Sequence, residues 1–140
     1  LVADIMKKYP KDVKVVFKNF PLSFHKQAKT AAKYALAAHK QGKWYEMYGK
    51  IMDEYKKLKT NESLPESYAK DLGLDMDRFM ADFKSPEVAA QVDLEMNQFR
   101  KSGIPRLSVP KFLIQGREPQ GRSLEAFSSM IDSELKKLKK

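Results

Sequence analysis

Sulfur chemistry is the first candidate to test, and the chain lacks the side chain for it. None of the 140 residues is cysteine, which excludes disulfides, thiolate metal sites and a thiol nucleophile within this polypeptide. Two histidines remain, His25 and His39, 14 positions apart. That separation does not match the H-E-x-x-H pairing that places two imidazoles on one helix face, and no metal site is expected. His25 reads as part of a helix start and His39 as part of a helix end, where positive charge is favourable. A serine hydrolase is equally unsupported, because no G-x-S-x-G elbow occurs. The six glycines are scattered, so no glycine-rich loop can cradle phosphates and no cofactor is expected. Asp53 and Glu54 are adjacent on a helical stretch and point apart, which does not suit paired acid–base work.

Charge offers a second route to function. The chain carries 27 basic and 18 acidic side chains, a formal charge of +9. Such a balance suits nucleic acid or an acidic surface. However, Lys26, Lys29, Lys33 and Lys40 are spread along one helical stretch. Lys136, Lys137, Lys139 and Lys140 fall at a helix end, where the dipole favours cations. No recognition-helix or aromatic–basic signature accompanies them. The basic residues therefore read as solvated faces, with nonspecific nucleic-acid binding the lesser alternative. No apolar run approaches the length that crosses a bilayer, and no basic-then-apolar leader opens the sequence.

The hydrophobic pattern defines the elements that would position any site. Leu1, Val2, Ile5 and Met6 share a helical face. Val13, Val15 and Phe17 alternate with lysines, and apolar Val16 implies partial burial on both sides of a strand ended by Pro21. Residues 24–41 are alanine-rich and helical, and Gly42 supplies a stop. Trp44, Tyr48, Ile51, Tyr55 and Leu58 recur at spacings of four and three, the pattern of a buried helix face. Residues 60–65 form a polar break. Tyr68, Leu72 and Leu74 mark a short helix ending near Gly73, and Asp75 caps the next, which carries Met76, Phe79, Met80 and Phe83. Ser85, Pro86 and Glu87 form a helix start ahead of Val88, Val92, Met96 and Phe99. Residues 111–115 read as a second strand, and 116–121 as a turn leading into a very short return strand. Ser123 then caps a terminal helix with Leu124, Phe127, Ile131, Leu135 and Leu138 on one face. The expectation is one α/β domain over 1–140, with sheet-forming parts at about 1–22 and 104–140 and a helical insert at about 23–103.

Several phrases, in this order, resemble the DsbA-like branch of the thioredoxin superfamily. VKVVFKNFPL at 13–22 is similar to the strand after that family's active-site helix. FH at 24–25, QGKWYEM at 41–47 and YAKDLGLD at 68–75 resemble its helical insert. VPKFLIQGR at 109–117 looks like the loop holding a cis-proline and the strand after it, and residues 125–132 look like its closing helix. The resemblance implies a thioredoxin-like sheet, disulfide exchange on exported proteins and an extracytoplasmic location. It also implies substrate contact at Ser108, Val109 and Pro110, where the residue before cis-proline offers main-chain groups to an extended peptide. Ile104-Pro105 receives no such implication, and the approach over 103–110 looks longer than usual.

The family's first strand and Cys-x-x-Cys motif have no counterpart here, so residues 1–9 resemble the tail of the helix that follows that motif. A redox-inactive, truncated or degenerate member is the resulting expectation, with no catalytic residue of its own. In the family the missing strand lies between those matching 13–18 and 111–115. Each unmade hydrogen bond there costs roughly 0.5–1.5 kcal/mol, so the chain is expected to close the gap with its own strands or to pair with another copy through exposed edges. The alternative is a non-catalytic module that holds peptides, or itself, by the same loop and edges.

Overall fold

A computed structural model describes residues 1–139; Lys140 lies outside the described residues. The chain forms two compact units, one of Leu1–Phe17 with Pro105–Lys140 and one of Lys18–Ile104. Among the described residues all regular structure is helical.

In the larger unit the sequence builds six helices: α2 (Lys26–His39), α3 (Trp44–Asp53), α4 (Tyr55–Leu58), α5 (Leu64–Asp71), α6 (Met76–Lys84) and α7 (Pro86–Arg100). Helix α2 packs against α3, α5, α6 and α7. Its alanines permit this, since small side chains let neighbouring helices approach. Ala37 and Ala38 are fully buried, alongside Met47, Ala69 and Phe79. Tyr34 stacks on Phe83 at 3.9 Å and on Phe79 at 5.8 Å between ring centroids. Its hydroxyl leaves this apolar stack by donating to Glu66 Oε1 at 2.8 Å.

Side-chain caps fix the later helix starts. Asp75 accepts from Arg78 N at 3.1 Å and Ser85 Oγ from Val88 N at 3.3 Å. Each cap satisfies a main-chain donor that the first turn leaves open. Gly73 closes α5 with φ of +71°, a conformation that costs a side chain little only when the residue is glycine. The Gln41 side-chain amide then binds the main chain of Asp75 in both directions, donating at 3.0 Å and accepting at 2.9 Å. The helix expected across 44–58 is interrupted at Glu54, which adopts φ −116° and ψ 20°. There the Glu54 carboxylate accepts from Lys57 at 2.7 Å and from the Tyr68 hydroxyl at 2.5 Å. The Lys57 bond, followed by the Tyr68 bond, holds this carboxyl below its ordinary range.

Glu95 is the buried carboxylate of this unit, at 6% exposure. Oε2 accepts from the Asn19 main-chain N–H at 2.8 Å and from Asn19 Nδ2 at 2.7 Å, and Oε1 accepts from Gln91 at 3.2 Å. A buried charge survives only with such partners. It ties the segment after residue 18 to α7, where Phe20 also meets Phe99 edge-on at 4.7 Å.

The smaller unit consists of α1 (Val2–Lys8), α8 (Leu124–Leu138) and the segments between them and their unit's ends. Helices α1 and α8 pack together through Ile5, Tyr9, Phe127 and Ile131, with Val13, Phe112, Ile114 and Leu135 partly buried against them. Ser123 caps α8 by accepting from Ala126 N at 3.0 Å. Tyr9 donates to Asp132 at 2.7 Å.

The expected α/β sheet is absent, and this corrects the fold class. Among the described residues there is no strand; the one ladder-like feature in this unit is an isolated antiparallel bridge between Ile114 and Arg117. That bridge closes a tight turn in which Gln115 and Gly116 have φ of 49° and 80°, the paired left-handed conformation of a type I′ turn. From Val13 to Lys18 partial burial and exposure alternate with a period of two, and residues 112–115 do the same. This is how an extended chain presents side chains. A strand also needs a ladder of main-chain hydrogen bonds, and among the described residues Lys14, Val15, Val16, Phe112 and Leu113 form none.

Two measurements check these assignments. Removing the Glu95 carboxylate leaves two Asn19 donors without their acceptor. Glu95→Ala is expected to lower stability by about 3 kcal/mol in urea denaturation, with Glu95→Gln costing about half as much. Burial first, then the carboxylate partner, raises both Tyr34 and Tyr68 above the ordinary tyrosine value of 10.0. A folded-state pKa above the unfolded one gives stability that is complete below the unfolded value and is lost as pH rises through the folded one. Stability should therefore decline above about pH 10, and Tyr34→Phe with Tyr68→Phe should flatten that decline.

Candidate peptide-contacting site

The sequence-derived site residues Ser108, Val109 and Pro110 are contiguous and exposed in the smaller unit. The loop owes its course to local main-chain geometry. Arg106 has φ of 59°, and Ser108 N donates back to Arg106 O at 2.8 Å, closing a three-residue turn around Leu107. The Val109-Pro110 peptide bond is cis. Arg122 Nη2 donates to Pro110 O at 3.0 Å, and Lys111 Nζ meets Glu118 at 2.8 Å. Val109 makes no main-chain hydrogen bond among the described residues, and Leu107 and Val109 leave apolar surface exposed at the same loop. The loop can thus offer an incoming peptide both hydrogen-bonding groups and apolar contact.

Beyond Pro110 the chain enters a groove of about 430 Å3. Residues 12–16 and 111–115 are among those lining it, and Ile5, Phe127 and Ile131 contribute buried apolar surface. Glu134 also lines it, accepting from Lys137 at 2.9 Å and pairing with Arg117. The Lys137 bond is the leading reason its carboxyl is held below the ordinary range.

Sequence reasoning missed Arg122 and the groove. Arg122 gave no signal because an arginine beside glycine and serine reads as turn chemistry. The alternation at 13–18 is the available sign of the groove, although the same alternation also describes a paired strand. The histidines do not converge: His25 precedes α2 and His39 is its last residue. Among the described residues no group of three or more histidines, cysteines or carboxylates could hold a metal. Asp53 is exposed, and neighbouring Glu54 is engaged with Tyr68 and Lys57.

Comparisons with known proteins give the family. The chain is 28% identical over 118 residues to the Na(+)/H(+) antiporter NhaA of Herminiimonas arsenicoxydans, a match covering 84% of this chain and 18% of that protein. It is 29% identical over 123 residues to Na(+)/H(+) antiporter NhaA 3 of Salinispora tropica, covering 86% and 18%. Na(+)/H(+) antiporter NhaA 1 of Salinispora arenicola is 28% identical over 124 residues, covering 87% and 18%. The chain therefore spans less than a fifth of these curated relatives. Among the described residues no helix is long and apolar enough to cross a membrane. No solved structure matches. The family model described as Thioredoxin matches residues 1–133, so the chain belongs to the thioredoxin family.

Proposed function

We propose that this chain is the peptide-contacting body of a DsbA-like thiol–disulfide oxidoreductase that acts on exported proteins outside the cytoplasm. The observation that carries this reading is the exposed loop at Ser108, Val109 and Pro110, with unengaged Val109 main-chain groups, in a member of the thioredoxin family. Exchange requires a thiolate to attack a disulfide sulfur, forming a mixed disulfide and expelling the second sulfur. These 140 residues contain no cysteine, so they supply binding and orientation and no sulfur nucleophile. An extended substrate would exchange main-chain hydrogen bonds with Val109, while Arg122 holds the Pro110 carbonyl and so positions the loop.

The three antiporter relatives favour a second reading, in which a domain of this kind is joined to a Na+/H+ antiporter polypeptide. Flotation of the native gene product with membranes supports it, and recovery in the soluble fraction overturns it.

The main reading has a two-part test. In insulin reduction with dithiothreitol the chain should not exceed the buffer rate. In an NMR titration with an unfolded, cysteine-blocked peptide, the largest amide shifts should fall at residues 107–111. Arg122→Ala should weaken that binding several-fold while lowering stability by no more than about 1 kcal/mol. Disulfide turnover by this chain, or shifts that avoid the loop, would sink the proposal.

A further inference from the structure

Helices α3 and α4 of the larger unit carry an apolar stripe that the proposed function does not use. Their buried positions are Met47, Ile51 and Leu58. Beside these, Tyr45, Tyr48 and Met52 follow one another on one side of α3 at spacings of three and four, and Tyr55 continues the interval at the start of α4. Tyr45 is 46% exposed, Met52 51% and Tyr55 50%, so the packing of the unit does not account for them. Trp44 stacks on Tyr48 at 4.9 Å between ring centroids, and Tyr45 is tilted on the same ring at 6.4 Å. Single exposed apolar side chains are ordinary, whereas four aromatic rings and a thioether in one run form a patch that calls for a partner.

Charge and side-chain type identify that partner. Lys43 pairs with Glu46 at 3.3 Å and Lys57 with Glu54 at 2.7 Å, which neutralises two of the three acids in residues 43–59. The third, Asp53, lies about 100° round the helix from Met52 and so off the stripe. Lys56 and Lys59 are exposed and enter no ion pair among the described residues, and the Lys56 ammonium lies 6.0 Å from the centre of the Tyr55 ring. Tryptophan and tyrosine, with an apolar body and a polar tip, favour the headgroup layer of a bilayer. Lysine stems lie along apolar surface there while their ammonium groups reach lipid phosphate. A second copy would instead bring the same lysines, and a total charge of +9, against the first. A nucleic-acid strand needs open ring faces for its bases, and Trp44 and Tyr48 cover one face of each other.

We infer that this face of α3 and α4 is a contact surface for an anionic membrane. Tyr45, Tyr48, Met52 and Tyr55 lie in the headgroup layer, and Lys56 and Lys59 meet lipid phosphates. The helices lie on the bilayer without crossing it. The surface belongs to the larger unit, whereas the loop at Ser108, Val109 and Pro110 belongs to the smaller one, and it needs no redox role.

The test uses the full chain with vesicles of phosphatidylglycerol and phosphatidylcholine in equal parts, and with vesicles of phosphatidylcholine alone. The chain should sediment with the anionic vesicles and bind the neutral ones at least about fivefold more weakly, with the difference shrinking in high salt. Trp44 is the only tryptophan, so its emission should move to shorter wavelength on binding, and lipids brominated near the headgroup should quench it. Tyr45→Ser, Met52→Ser and Tyr55→Ser together should weaken binding at least about tenfold. Lys56→Gln with Lys59→Gln should reduce the preference for anionic lipid. Thermal unfolding reports whether the serine variant folds; if it does not, quenching in the unmodified chain decides. Vesicle binding that leaves Trp44 emission unchanged, or that a folded serine variant retains in full, would overturn the inference, because general charge attraction would then suffice. Absence of vesicle binding at low salt would also overturn it. So would a larger change in Trp44 emission from single-stranded DNA, or from dimerisation of the chain alone, than from vesicles. Neither reading of the proposed function stands or falls with this result.

Discussion

Main-chain polar groups need partners, and the two units differ in how they provide them. In the larger one, six helices satisfy most donors and acceptors internally. Asp75 and Ser85 supply acceptors at two of its helix starts. Where the chain is irregular, side chains stand in: Glu95 receives the Asn19 main-chain N–H, and Gln41 takes both main-chain groups of Asp75. The smaller unit has two helices and two extended stretches in which Lys14, Val15, Val16, Phe112 and Leu113 make no main-chain hydrogen bond among the described residues. Its apolar core is correspondingly small, with four buried hydrophobic residues among those described.

The same distinction explains what could be read from the sequence. A cap is a local device, encoded by one side chain three residues before the donor it serves, so Asp75, Ser85 and Ser123 were recognisable directly. The buried positions of α7 were partly recognisable. Val88 and Val92 were placed correctly, but Glu95 lies on the same helical face and was overlooked because a carboxylate reads as solvated until its donors are known. Alternation at 13–18 was real information about side-chain direction. It carried none about pairing, because the ladder depends on a segment remote in sequence. The break at Glu54 was hidden for a related reason: its tyrosine partner, Tyr68, belongs to another helix.

The candidate site divides similarly. Ser108, Val109 and Pro110 came from an ordered set of phrases shared with a family, and membership in the wider thioredoxin family stands on the match over 1–133. The support of the loop by Arg122 depends on how the chain returns after the turn at 115–116, which spacing does not specify. Charge also acquired meaning only with the tertiary arrangement. A surplus spread along the sequence suggested ordinary solvated faces, yet its larger part belongs to the smaller unit.

The Gln41 amide has a consequence for which side chains the corner before α6 admits. It donates to the Asp75 carbonyl and accepts from the Asp75 N–H at once, so the position needs a donor and an acceptor on one planar group. A carboxylate would set a second acceptor against that carbonyl, and an apolar side chain of the same length would leave both main-chain groups unserved, which confines the corner to a carboxamide.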